Sequence, residues 1–241
     1  MIEALIRNEQ FRRIFPPVVA VGLIALFVSL GLWQLDRAAE KNQLQALFDN
    51  DTAFARVTGD MPVTEYQNIE AYGYYLDAQQ VLIDNIFRDS RIGHYVITAF
   101  RYAANEPLLI VNRGWIARPV DNDSNVDLST GDTRRTIRGR VGRLPEVAIR
   151  SGEAFEGADD WPKKAIYPTL DDLSAELGQE VLPFILLLNP EADNGFVRRW
   201  QPTGSGPSMH YGYAFQWFAM ATAVLVILGW QLRKRHLRGS D

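Results

Sequence analysis

His210 is one of three histidines in a 241-residue chain that contains no cysteine. If the segment around it is helical, His210, Ala214, Trp217 and Ala221 fall at i, i+4, i+7 and i+11, one stripe along one face. That stripe offers a metal-capable imidazole, small side chains that leave room, and an aromatic plane. A planar macrocycle with an iron to ligate would fit such a surface. An ionisable residue at the edge of an apolar span is a functional candidate in its own right. A plainer reading stands beside this one, because interfacial aromatics are commonly belt anchors and small residues commonly mediate helix packing. The belt suffices for Tyr211, Phe215 and Trp230, and Gly22, Ala25 and Ser29 read as packing residues. His94 falls in an expected strand and reads as structural, and His236 belongs to a basic tail.

Two uncharged apolar stretches, 16–35 and 211–232, must position these groups. Each holds roughly 20 residues, about what a helix needs to cross a hydrocarbon core of ~30 Å. The organisation that follows is a terminus at 1–13, a transmembrane helix at 14–35, a domain at 36–210, a second transmembrane helix at 211–232 and a tail at 233–241. Arg7, Arg12 and Arg13 precede the first span, and Arg233, Lys234, Arg235 and Arg238 follow the second. Positive flanks stay in the cytoplasm, so both termini are expected there and the domain outside it. Residues 1–35 carry +1 and 211–241 carry +3, so of the chain's −4 the segment 36–210 holds −8. Long loops translocate regardless of such acidity. The first stretch ends in Trp33-Gln34-Leu35-Asp36-Arg37 rather than at a small-residue cleavage site, which makes it a retained anchor. This topology brings Trp33, Gln34 and Arg37 to the depth of His210, Tyr213 and Trp217. The lipid bilayer is the first expected partner, and no nucleic-acid partner is expected.

The domain reads as β-rich α+β, a mixed sheet curled towards a barrel. Residues 37–48 continue the first span as a helix. Strands are expected at 69–75, 81–87, 93–101, 108–112, 136–141 and 181–188, the third and fourth as a hairpin around 103–107. The stretch 121–132 is polar and reads as a surface loop. A short helix at 171–177 carries a capping box, Thr169 with Asp172, and ends at Gly178. Without cysteine there is no disulfide, no Cys-x-x-Cys carrier, no covalent c-type haem site and no thiol nucleophile.

A second local motif is Val111-Asn112-Arg113-Gly114-Trp115. Asn112 and Gly114 suit a tight turn, while Arg113 could pair with a carboxylate on a ligand or partner. Arg134, Arg135, Arg138, Arg140 and Arg143 read as a solvated face. Asp159-Asp160 and Asp171-Asp172 have no partner base in view. Walker A, dinucleotide-binding, zinc-protease and nucleophile-elbow signatures are all missing from the sequence. No enzymatic activity is expected.

Gly31-Leu32-Trp33-Gln34-Leu35 with Arg37, then Gly93-His94-Tyr95-Val96-Ile97-Thr98, then 111–115, then His210-Tyr211-Gly212-Tyr213-Ala214-Phe215-Gln216-Trp217-Phe218 resemble, in that order, the motifs of the Surfeit-1 (Shy1-like) family. Arg138-Gly139-Arg140 with Pro145-Glu146 resembles its central strand. The likeness covers nearly the whole chain. The stretches 121–132 and 151–179 carry little of it, and Pro207-Ser208-Met209 departs from a proline placed directly before the histidine. The resemblance implies a bacterial inner-membrane protein with a periplasmic domain that assists assembly of haem–copper cytochrome c oxidase. In that role it would take haem a from its synthase to the catalytic subunit, with haem contact near His210. Arg37, and Arg113 if the hairpin end reaches the membrane, would then face the propionates, with Trp217 flanking the ring. The alternative from a different class is a scaffold that holds oxidase subunits and has no cofactor. A membrane-anchored hydrolase is disfavoured by the missing nucleophile motifs.

Overall fold

A computed structural model of the chain describes residues 9–50, 52–118, 126–146, 152–155, 160–202 and 204–238. Arg7, Asp159 and residues 121–125 lie outside the described residues, as do the side chains of Arg12, Arg13 and Arg238. The chain divides into a unit of two long helices and a sheet domain, Leu47–Gln201. Helix α1 spans Glu9–Asp49, so the first apolar stretch does continue as helix through residues 37–48. At ~1.5 Å per residue, its 41 residues extend about 62 Å. The second apolar stretch forms a helix over Pro207–Arg238, here α3. Only 6% and 17% of the most apolar windows of these helices are buried. A core helix of a water-soluble domain would hide such a face, and these do not; both are long and apolar enough to cross a membrane.

The domain holds β1 (Ala55–Arg56), β2 (Asn68–Arg88), β3 (Arg91–Arg101), β4 (Leu108–Ala117), β5 (Arg135–Gly142), β6 (Lys163–Ala165), α2 (Leu170–Leu177) and β7 (Val181–Leu188). Strand β2 pairs with β3, β3 with β4, β4 with β7 in parallel and β7 with β5. Strand β5 then pairs with the first half of β2, so the ladder returns to its start. One strand serves both ends because β2 runs 21 residues with register shifts after Tyr75 and Ile83. The sequence suggested two strands there, 69–75 and 81–87. The intervening residues instead keep extended backbone through a bulge, which bends a strand without ending it.

The apolar runs in β4 and β7 feed two cores, one on each face of the sheet. Leu109, Val111, Phe184, Leu186 and Leu188 join Ile69, Tyr75 and Phe100. Leu108, Ile110, Ile185 and Leu187 join Val81, Ile83 and Ile97, with Leu173 and Leu177 of α2 laid over them. A strand buried on both faces must be apolar at every position, which is why 181–188 lacks alternation. Helix α2 starts at the expected box: Thr169 Oγ1 accepts from the Asp172 amide at 3.1 Å, Asp172 Oδ2 accepts from the Thr169 amide at 2.8 Å, and Gly178 closes the end at φ 64°.

Candidate functional site

Within the helical unit, the stripe that begins at His210 is the seam between α1 and α3. Ala214 and Ala221 are buried, as are Gly31, Gln34 and Ala38 of α1. A Cβ on Gly31 would lie 2.7 Å from the Phe218 ring; a larger residue would therefore push the helices apart. Trp217 and Phe27 bring their ring centroids to 5.8 Å. The alanines that could leave room for a ligand are thus occupied by helix packing. Gly22, Ala25 and Ser29, expected to do that packing, are exposed instead. Helical periodicity puts them on the far side of α1 from Gln34.

His210 sits at one end of the seam, half-buried, with Nδ1 2.8 Å from the Gln34 Oε1. An amide oxygen only accepts, so Nδ1 is the donor in this contact, and in the neutral imidazole the lone pair then lies on Nε2. The flanks of the seam differ. On one, Asn42 donates to the Tyr211 hydroxyl at 2.8 Å and Phe218 covers Gly31. At about 100° per residue, Arg37 and Tyr213 turn to the opposite flank, with Trp33 further round on that side. Trp33 and Tyr213 are exposed, and Arg37 is exposed and pairs with Glu40 at 2.6 Å. One flank therefore presents two aromatic rings and a cation beside the imidazole.

In the sheet domain, Asn112 and Gly114 form no turn but a bulge inside β4. Between the pairs Tyr95–Trp115 and Ile97–Asn112, β4 has one residue more than β3. The Gly114 amide donates to Asn112 Oδ1 at 3.0 Å, and Gly114 adopts φ 118°. The residue types are those of a turn; continued pairing on both sides makes it a bulge. The extra residue turns Arg113 inward to 1% exposure. Its Nε donates to Asn194 O at 2.7 Å, and its Nη1 donates to Leu128 O at 2.7 Å and Gln80 Oε1 at 3.0 Å. The Arg113 guanidinium lies 5.6 Å from the Tyr75 ring centroid and 5.1 Å from that of Phe196, and burial pushes the Tyr75 hydroxyl pKa up to about 12 against the pull of Arg113, Arg135 and Arg198. Thr130 donates to Asp77 Oδ1 through both its amide and its hydroxyl. The described part of 121–132 is irregular and mostly exposed, as a surface loop should be, but Leu128 and Thr130 tie it to the sheet domain.

The span matched by a known family encloses both the seam and the Arg113 network: residues 21–222 match the SURF1 family. This chain belongs to the SURF1 family. A SURF1-like protein of Rickettsia bellii is 25% identical over 230 residues, covering 90% of each chain. One from Monosiga brevicollis is 23% identical over 237 residues, covering 90% of this chain and 85% of the other. One from Rickettsia felis is 24% identical over 223 residues, with 87% and 93% covered.

In this SURF1-family domain the histidine of the second motif is buried, as its strand position suggested. His94 Nδ1 lies 3.1 Å from Asp84 Oδ1, which also takes an Arg118 guanidinium. Burial holds the His94 pKa below the ordinary value, more than Asp84 raises it. The expected solvated arginine face is mixed. Arg138 pairs with Glu70 at 3.0 Å and Arg143 with Glu65 at 3.5 Å, both exposed, while Arg140 lies 4.7 Å over the Phe48 ring. Gln80, Asp84 and Asn194 gave no usable local signal, since their bonds to Arg113 and Arg118 join residues distant in sequence.

Proposed function

We propose that this SURF1-family protein is a membrane assembly factor for haem–copper cytochrome c oxidase, which holds haem a at His210 and assists its delivery from the synthase to the catalytic subunit. The observation that carries the reading is the His210–Gln34 contact, because a metal-binding imidazole needs its other nitrogen held by an acceptor. Among the described residues no group of three or more His, Asp or Glu could hold a bare ion. A single imidazole suits iron that arrives with its equatorial ligands already in place. The macrocycle would rest on the flank of Trp33 and Tyr213, and Trp217 lines the seam beneath. Arg37 would exchange its exposed pair with Glu40, worth under about 1 kcal/mol, for a propionate. Arg113 has no part in the site, since its guanidinium serves internal carbonyls. When bound, haem supplies an iron centre for onward transfer, and the protein's task is to grip and orient it.

The basic flanks support placing both termini in the cytoplasm and the sheet domain in the bacterial periplasm. Pairings that run back to β2 support a barrel-like platform against which the oxidase subunit would be received. The test is the absorption spectrum of the full chain purified from cells that make haem a. Haem bands should be present and should vanish or shift in His210→Ala with membrane insertion intact. An unchanged spectrum in the variant would place the ligand elsewhere. Wild-type protein without haem would favour a scaffold that holds oxidase subunits through its domain and spans.

A further inference from the structure

The tip of the β2–β3 hairpin combines exposed apolar and basic groups. Asp89 and Ser90, at φ 47° and 60°, form a two-residue turn between the paired Arg88 and Arg91. Phe87 stands opposite Ile92, and directly opposed residues share a face. Phe87 is 70% exposed, the most of any large apolar side chain described in the sheet domain, and Ile92 is 47% exposed. Scattered apolar residues on a surface need no cause, but these two form one patch among arginines. Arg118 donates its amide to Ile92 O at 3.0 Å, and Arg199 reaches Asp89 at 3.4 Å. Arg91 is exposed with no partner among the described residues. Four arginines (88, 91, 118 and 199) thus face two aspartates (84 and 89), in a segment whose net charge is −8.

Chain connectivity ties this patch to the second apolar helix. Arg88 Nη2 donates to Arg199 O at 2.6 Å, and Arg199 stands eight residues before Pro207, where α3 begins. Eight residues reach no more than about 29 Å even fully extended. The tip is therefore bonded to a residue only eight positions along the chain from a helix apolar enough to cross a membrane. We propose that this hairpin tip docks on the bilayer, with Phe87 and Ile92 in the interfacial layer and the arginines on anionic lipid phosphates. Aromatic side chains settle at headgroup depth, guanidinium groups grip phosphate oxygens, and the covalent tether keeps the tip's effective concentration at the surface high. The contact would fix the orientation of the sheet domain on the membrane without involving haem.

The absence of cysteine makes the test direct. The full chain with Ser90→Cys, labelled with an environment-sensitive fluorophore, is placed in nanodiscs of phosphatidylcholine alone or mixed with phosphatidylglycerol, each with spin-labelled lipid as quencher. A second sample carries the label at Tyr72→Cys, also exposed but away from the tip. The label at position 90 should be quenched several-fold more than the one at 72, most strongly in anionic discs. Adding Phe87→Ser with Ile92→Ser, or Arg91→Glu, should remove most of that difference while the circular dichroism is unchanged. Equal, weak quenching at both positions in both disc types would overturn the proposal. So would a position-90 label that is shielded only when another protein is added, which would make the tip a protein-docking site.

Discussion

Arg113→Lys separates a structural guanidinium from a ligand-binding one. The substitution keeps the charge and removes the fork that reaches Asn194 O, Leu128 O and Gln80 Oε1 together. A single ammonium on a shorter reach satisfies one of these acceptors. At least two bonds from a charged donor are then lost, each worth about 1.5–3 kcal/mol. Allowing for overlap among neighbours, the expected destabilisation is about 3–5 kcal/mol, the range for disrupting a buried charge. For a domain of this size, each kcal/mol shifts Tm by about 2–4 °C, so the sheet domain should melt roughly 6–20 °C lower. Near-ultraviolet circular dichroism of the full chain in detergent follows this through Trp115, Trp161 and Trp200, which all lie in the domain. An unchanged Tm with selective loss of haem would refute the reasoning and return Arg113 to the ligand.

Gly114→Ala should lower the same Tm by an amount equivalent to about 1–3 kcal/mol: φ is 118° and the new Cβ would meet Arg198 Cγ at 2.8 Å and Val197 O at 2.9 Å. Gly212→Ala, with nothing within 4 Å, should leave it unchanged. Acidification should destabilise the domain through His94. Its folded pKa is lowered, by burial first and against the upward pull of Asp84, so the unfolded chain binds the proton more readily. The stabilisation is complete above the ordinary value of 6.5 and is lost as pH falls below it. Melting between about pH 7.5 and 5.5 should show this slope, and His94→Asn should flatten it. Asp84 contributes only at stronger acidity. Burial alone would raise its pKa, but the Arg118 and Asn85 hydrogen bonds and the His94 charge hold it below 3.8. A reporter active only outside the cytoplasm should work when inserted in 121–132 and fail when fused after Asp241; the reverse would overturn the orientation.

What the sequence made legible was local, and what it concealed depended on contacts distant along the chain. The two long apolar helices, the capping box at Thr169 and the apolar run at 181–188 follow from periodicity and neighbour chemistry, and all three appear in the fold. Asn112 and Gly114 were legible as a backbone irregularity but not as a bulge, because only the pairing of β4 with β3 decides whether the chain turns or continues. The single strand β2 was hidden for the same reason, since nothing between 75 and 81 signals that its partners carry on. The loop at 126–132 was legible as a loop but its ties were not, because its polar groups are matched by Arg113, Gln80 and Asp77, up to 53 residues away.

The stripe from His210 to Ala221 shows how one sequence pattern serves two purposes at different depths. Small residues every turn admit either a ligand or a neighbouring helix, and periodicity alone cannot distinguish them. Here Gly31, Ala38, Ala214 and Ala221 bring the backbones together, and their closeness puts Gln34 within 2.8 Å of the imidazole. Packing is thus the precondition for the proposed ligation, because without it Nδ1 loses its acceptor and Nε2 its assigned lone pair. The aromatic surface that a macrocycle requires then lies beside the seam, at Trp33 and Tyr213, rather than along it. Enlarging Gly31 should therefore impair haem binding without touching any residue of that surface.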